Sequence, residues 1–236
     1  MSHSNPIIVV IQNCLHETLG QFRPLLEKKN QQLISLNSDQ ISELPTYPSL
    51  NGVIILGGPQ SGNDTTPNIY AQLGLIETLL KKQIPYLGIC LGMQLLGKVA
   101  GSTIVKAEHS EIGFDSSKGP YTVTLTSEGK KDRLTHSLPH SFPVFQLHTE
   151  TITSSTDITL LGTSNTIKHQ IIKVGPCAYG IQGHIELTKP LLQTWLKKDR
   201  LLTEKNKPSI LKTYNQHNAI LRETSTELIT QFLSQI

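Results

Sequence analysis

Four short apolar runs punctuate the first part of the chain: IIVVIQ at 7–12, QLISL at 32–36, GVIILGGP at 52–59 and PYLGI at 85–89. Each has the length of a buried strand, and β-branched residues dominate the first and third. Helix-length stretches lie between them. One runs from about Thr18 to Asn30. A second, at 68–83, places apolar residues at helical spacing and ends on Lys81 and Lys82, where cations suit the helix dipole. A third, GMQLLGKVAG, follows the fourth run and is closed by Gly101. This alternation predicts an α/β chain whose mostly parallel, doubly wound sheet carries helices on both faces.

The middle of the chain changes character. From Ser102 to Gln182 the runs STIVK, YTVTLT, FPVFQL, DITLLGT, HQIIKV and CAYGIQ are β-like and separated by polar turns. They predict a small added antiparallel or mixed β layer. Beyond Glu186 the chain returns to helix, in LTKPLLQTWLKKDRLL and in TSTELITQFLSQI, with TEKNKPS between them as a loop. Thr224 and Glu227 have capping-box spacing, and Leu228, Ile229, Phe232, Leu233 and Ile236 share a face. The expected organisation is a main domain over 1–186 and a C-terminal helical extension over 187–236, packed on that domain.

Composition excludes several classes. A net charge of +3 is too small to argue for a nucleic-acid partner. The three cysteines, Cys14, Cys90 and Cys177, form no CxxC pair, so neither a disulfide framework nor a zinc site is expected. No run reaches the roughly 18 apolar residues of a membrane span, and the start lacks the basic region of a signal peptide. These features suit a cytoplasmic protein with no metal or organic cofactor.

Cys90 falls where the fourth run gives way to a helix, in Gly88-Ile89-Cys90-Leu91-Gly92. A strand that turns sharply into a helix holds one side chain up at the carboxyl end of the sheet. The residues two away on each side must then be small, which is the mechanical content of G-x-S-x-G. A thiol there faces unpaired helix N–H groups, which favour a thiolate. The alternative is a small buried core residue. A cysteine nucleophile needs a base, and YGIQGHIE supplies His184 with Glu186 two residues on. In extended backbone those two share a face, so the carboxylate can orient the imidazole. LGGPQSG, at 56–62, is a glycine-rich turn after a strand whose N–H could meet an oxyanion, with Leu91 N–H as a second donor.

Together these segments resemble the class I glutamine amidotransferases, in particular stand-alone proteins similar to the glutaminase domain of GMP synthase. GVIILGGPQSGND resembles the family's oxyanion strand and loop, and PYLGICLGMQLLGKVAGSTI its nucleophile elbow and helix. EIGF at 111–114, FQLHTET at 145–151 and YGIQGHIE resemble three further family elements. The resemblance implies a flavodoxin-like fold with Cys90 as nucleophile, His184 as base and acid, and Glu186 orienting it. It also implies Gly58 and Leu91 as oxyanion-hole amides, and Gln94 and His148 as substrate-binding positions. The implied reaction is hydrolysis of the glutamine side-chain amide through a γ-glutamyl thioester. The ammonia would pass to a separate synthetase subunit or be released to water.

Three positions depart from the family pattern. Gly183 and Ile185 stand where the family has Phe and Pro, which is expected to loosen the site or widen it for a larger substrate. Glu150 stands where Asp is common. Two alternatives therefore accompany the glutaminase reading: a γ-glutamyl peptide hydrolase, and an inactive amidotransferase fold serving as a regulatory or interaction module. Other residues are given plainer roles. Cys14 and Cys177 are expected to pack, and His16, His109, His136 and His140 to be exposed. Lys197, Lys198, Asp199 and Arg200 are expected to form a solvated helix face. Trp195 is expected to anchor the C-terminal helix.

Overall fold

The computed structural model describes residues 7–28, 32–44, 49–114 and 119–236. Strands β1 (Ile7–Gln12), β2 (Gln32–Asn37), β3 (Leu50–Ile55) and β4 (Tyr86–Ile89) are the four runs read from the sequence. They pair in parallel in the order β2-β1-β3-β4, and β11 (Ala178–Ile181) joins β4 in parallel. The sheet then continues antiparallel through β10 (Ile171–Val174), β9 (Ile158–Thr163), β6 (Thr122–Leu125) and β7 (Ser141–Pro143), nine strands in all.

The continuous apolar sequence of β1 follows from cover on both faces. Ile8 and Val10 join one core with Phe22 and Leu26 of α1 (Phe22–Lys28) and with Leu228, Ile229 and Phe232 of α6 (Lys207–Leu233). Val9 and Ile11 face the opposite core. There they meet Ile69, Leu75, Ile76 and Leu79 of α2 (Pro67–Lys82) and the apolar side of α3 (Leu91–Val99). The doubly wound arrangement expected from the sequence is therefore present. Among the described residues no helix is long and apolar enough to cross a membrane.

Most of the β-like middle extends the main sheet. The separate layer is a two-stranded antiparallel sheet of β5 (Ile104–Gly113) and β8 (Gln146–Ile152). A buried polar hub fastens it. Glu111 on β5 accepts from His148 Nε2 at 3.0 Å and from Gln170 Nε2 at 2.9 Å, and Thr166 also donates to it. Burial works against its charge, but these hydrogen bonds and the nearby imidazole hold the carboxyl below the usual range.

Helix boundaries differ from expectation in three places. Residues 14–21 form an irregular loop ahead of α1, because tertiary partners take its backbone groups. Gln12 Nε2 donates to Glu17 O, Trp195 Nε1 to His16 O, and Gln21 N–H to Glu186 O. The first helix expected in the tail divides at Asp199 into α4 (Lys189–Lys198) and α5 (Arg200–Thr203). The last helix, α6, begins at Lys207 and runs through Thr224, which is buried mid-helix rather than a cap. Asn206 caps it instead, accepting from Ser209 N–H at 3.1 Å, so part of the expected TEKNKPS loop is its first turn.

Glu111→Ala should strand His148 and Gln170 in a buried site. The expected loss is about 3 kcal/mol of unfolding free energy, read from urea denaturation. Because the folded carboxyl is held below its unfolded value, this contribution is full above the unfolded pKa. It fades as pH falls through the folded one.

Candidate active site

The parallel pairing of β4 with β11 sets the geometry. Gly88 faces Gly180 and Ile89 faces Ile181. The next residues, Cys90 and Gln182, therefore leave the sheet side by side at its carboxyl edge, where α/β sheets bind their ligands. Cys90 N–H donates to Ile181 O at 2.8 Å, and its own carbonyl accepts from Gln94 N–H at 3.0 Å to start α3. The turn is sharp enough to put Cys90 at φ 49° and ψ −102°. Such a backbone costs of order 1–3 kcal/mol in a residue with a side chain. The glycine spacing has a direct cause. A Cβ on Gly88 would lie 2.7 Å from Met93 N, and one on Gly92 would lie 3.1 Å from the Ile55 carbonyl carbon.

His184 and Glu186 lie beyond β11 in an irregular segment, not within a strand as the sequence reading placed them. Their pairing is nonetheless close: His184 Nδ1 lies 2.7 Å from Glu186 Oε1, and both side chains are buried. Two backbone bonds hold the segment, His184 N–H to Phe145 O and Gln21 N–H to Glu186 O, each 2.8 Å. Burial opposes charge on the imidazole. The Glu186 carboxylate and hydrogen bonds with Cys90 and Glu186 outweigh it and hold the His184 pKa well above its ordinary value. The Trp195 ring packs edge-on against the imidazole, with centroids 4.7 Å apart. The expected anchor of the C-terminal helix thus also supports this histidine.

A cavity of about 570 Å³ opens over Cys90, and Gly58, Leu91, Gln94, His148 and His184 all line it. Every site residue expected from the sequence is thus at the cavity, except Glu186, which stands behind His184. Gln94 Nε2 donates to Glu150 O at 3.0 Å and to Gln182 Oε1 at 3.3 Å. His148 has both ring nitrogens engaged, by Glu111 and by Glu150 O at 3.0 Å. Glu150 Oε1 accepts from Ser61 Oγ at 2.9 Å.

Several sequence expectations need correction here. The gap at Gly183 does not widen the site, because Val144 Cγ2 occupies the space a Cβ would enter. Ile185 packs into the main core. Lys198, Asp199 and Arg200 line the cavity at the α4–α5 break rather than forming a plain helix face. His16 is half-buried and lines it too.

Two residues escaped the sequence reading altogether. Gln182 is fully buried and directs Nε2 at Cys90 Sγ, 3.7 Å away. Glu17, in the loop after β1, is buried at the cavity. Burial first, then repulsion from Glu186 and Asp199, pushes its carboxyl up to about 7 against the pull of His184. Ligand atoms of Glu17, His184 and Glu186 lie within 4.8 Å of one another, the spacing of a possible metal site, although His184 Nδ1 already bonds Glu186. Gln182 was signalled by its place in YGIQGHIE; Glu17 had no local signal.

The family described as Glutamine amidotransferase class-I matches residues 25–201. A γ-glutamyl-L-1-hydroxyisopropylamide hydrolase of Pseudomonas sp is 28% identical over 71% of this chain and 59% of its own length. One of the separate GMP synthase [glutamine-hydrolyzing] subunits, from Methanococcus aeolicus, is 25% identical over 77% of this chain and 89% of its own. Across three curated relatives the aligned stretch spans 60% of their length or less. A solved glutamine amidotransferase from Thermotoga maritima superposes with a TM-score of 0.86 at 27% identity. That match covers 98% of this chain and 99% of the other.

Glu186→Gln should lower the pKa of His184, since it removes the carboxylate that favours the imidazolium. The imidazole C–H resonance of His184, followed by NMR, should then titrate at lower pH than in the wild type. An unchanged titration would mean that Glu186 does not govern the ring.

Proposed function

The chain belongs to the class I glutamine amidotransferases, and we propose that it hydrolyses a γ-glutamyl amide through a thioester on Cys90, with glutamine as the first candidate substrate. The observation that carries this reading is the strained turn that raises Cys90 beside a His184 already paired with Glu186. The same arrangement weighs against an inactive module, which would have no need to keep a costly backbone under a buried histidine–carboxylate couple.

In the proposed mechanism His184 takes the Cys90 proton and Sγ attacks the amide carbon. The carbonyl oxygen becomes an oxyanion between the Gly58 and Leu91 amides; Leu91 N–H is available for this as the first residue of α3. His184 returns the proton to the amide nitrogen, the C–N bond breaks, and ammonia or an amine departs. Water, deprotonated by His184, then attacks the thioester. Glutamate leaves, and the proton returns to sulfur. Gln94 and His148 border the glutamyl side, with Glu150 nearby for the α-amino group. Every proton moves between Cys90, His184, substrate and water, so the scheme requires no cofactor.

A second reading, hydrolysis of γ-glutamyl peptides or larger amides, is favoured by the reach of the cavity. It extends past Cys90 to Lys198, Asp199, Arg200 and Leu201, beyond what an ammonia leaving group fills. The hydrolase from Pseudomonas, named for such an amide, supports the same reading. The first reading brings with it a separate ammonia-accepting synthetase subunit, in keeping with the Methanococcus relative, itself named as one subunit of a GMP synthase.

Ammonia release from L-glutamine and amino-acid release from γ-glutamyl dipeptides, wild type beside Cys90→Ala, test both. Wild-type turnover of glutamine, reduced roughly 10⁴-fold or more in the variant, is the expected result for the first reading. Turnover of dipeptides alone selects the second. Activity that survives Cys90→Ala would remove Cys90 as nucleophile.

A further inference from the structure

The mechanism above leaves one buried acid at the cavity without a role. Glu17 is 5% exposed, and its Oε2 has no hydrogen-bond partner among the described residues. That oxygen and the His184 imidazole flank the same point. A Cβ placed on Gly57 would have His184 Cε1 at 3.0 Å and Glu17 Oε2 at 3.3 Å.

The reaction creates a need at this place. The departing nitrogen carries at least one N–H while the proposed groups around it are donors: protonated His184 and the Gly58 and Leu91 amides. In a buried site that N–H requires an acceptor. Gln60 Oε1 is also an unpartnered buried acceptor, but it lies against Gly58, on the oxyanion side. Glu17 Oε2 lies against His184, on the side where the nitrogen leaves.

We propose that Glu17 is a catalytic residue for the leaving group, its carboxylate accepting the N–H of the departing ammonia or amine while His184 protonates that nitrogen. The inference rests on the reading that this chain cleaves γ-glutamyl amides at Cys90. Glu17 forms no covalent bond and takes no proton. The C–N electron pair goes to nitrogen, and the added proton comes from His184.

The charged and titratable surroundings define the pH dependence. His184 and Glu186 face Glu17 from the segment after β11, and Asp199 from the α4–α5 break. Cys14 and His16 share its loop, and Lys198 and Arg200 line the same cavity. With its carboxyl raised to about 7, Glu17 becomes acceptor-only as pH rises through that value. Amide cleavage should therefore show a rising limb near neutrality that belongs to Glu17.

The test compares kcat/KM for L-glutamine or γ-glutamyl methylamide with that for L-glutamate γ-methyl ester. The ester passes through the same thioester, but its leaving oxygen carries no N–H. Glu17→Ala should lower amide turnover on the order of 10²-fold and leave ester turnover within about threefold. Glu17→Gln keeps a neutral acceptor, so it should recover part of the amide activity without the rising limb. Equal losses on both substrates, or no loss on the amide, would overturn the role; ester turnover in each variant reports that the site is folded. A wild type that cleaves neither compound would instead overturn the hydrolase reading and this inference with it.

Discussion

The parallel pairing of β4 with β11 is the constraint from which the site follows. Two strands far apart in sequence end level at one edge of the sheet, and a single backbone bond, Cys90 N–H to Ile181 O, ties them there. A one-residue slip would turn every side chain of β11 to the opposite face. It would also carry His184 away from the elbow. The antiparallel strands β10 and β9 lie on the far side of β11 and secure it from that side. The β-rich middle of the chain thus has a mechanical purpose: it delivers residues 182–186 to the thiol.

Two buried histidine–carboxylate couples show how the same chemistry serves different ends. In Glu111–His148 the hydrogen-bonding capacity is well used. Glu111 is bound by His148, Gln170 and Thr166, and both nitrogens of His148 are engaged. A polar network satisfied in this way specifies and stiffens structure. In His184–Glu186 one carboxylate oxygen is bonded, while Glu186 Oε2 and neighbouring Glu17 Oε2 have no partner among the described residues. Buried polar atoms left unpaired cost free energy, so they mark a place arranged for something other than stability.

What could be read from the sequence was what local rules control. Gly88 and Gly92 flag the elbow because each meets backbone only a few residues or one strand away, and the apolar runs flag strands because both sheet faces are covered. His184 and Glu186 were legible as a pair, although their backbone is irregular where extended strand was expected. Glu17 was not legible. It lies in a stretch with helical composition, and its neighbours His184, Glu186 and Asp199 come from the far end of the chain. Thr224 misled for the opposite reason: its local pattern is a good cap, but Asn206 and the buried face of α6 extend the helix through it. Gly183 suggested an open site because sequence shows a missing side chain but not that Val144 fills the space.

The two sides of the cavity are built differently. The glutamyl side is framed by β8, α3 and the hub at Glu111, elements whose positions the sheets dictate. The other side is made from the irregular loop at 13–17 and the α4–α5 break, and Trp195 joins these. Its indole N–H holds His16 O at 2.9 Å while its ring lies against His184. The loop that carries Glu17, the helix that ends at Lys198 and the imidazole therefore share one support. A leaving group that displaced this wall would press on the histidine that must protonate it. Selectivity for the departing amine and the placement of the proton donor are thus coupled through one buried side chain, while recognition of the glutamyl portion stays with the sheet.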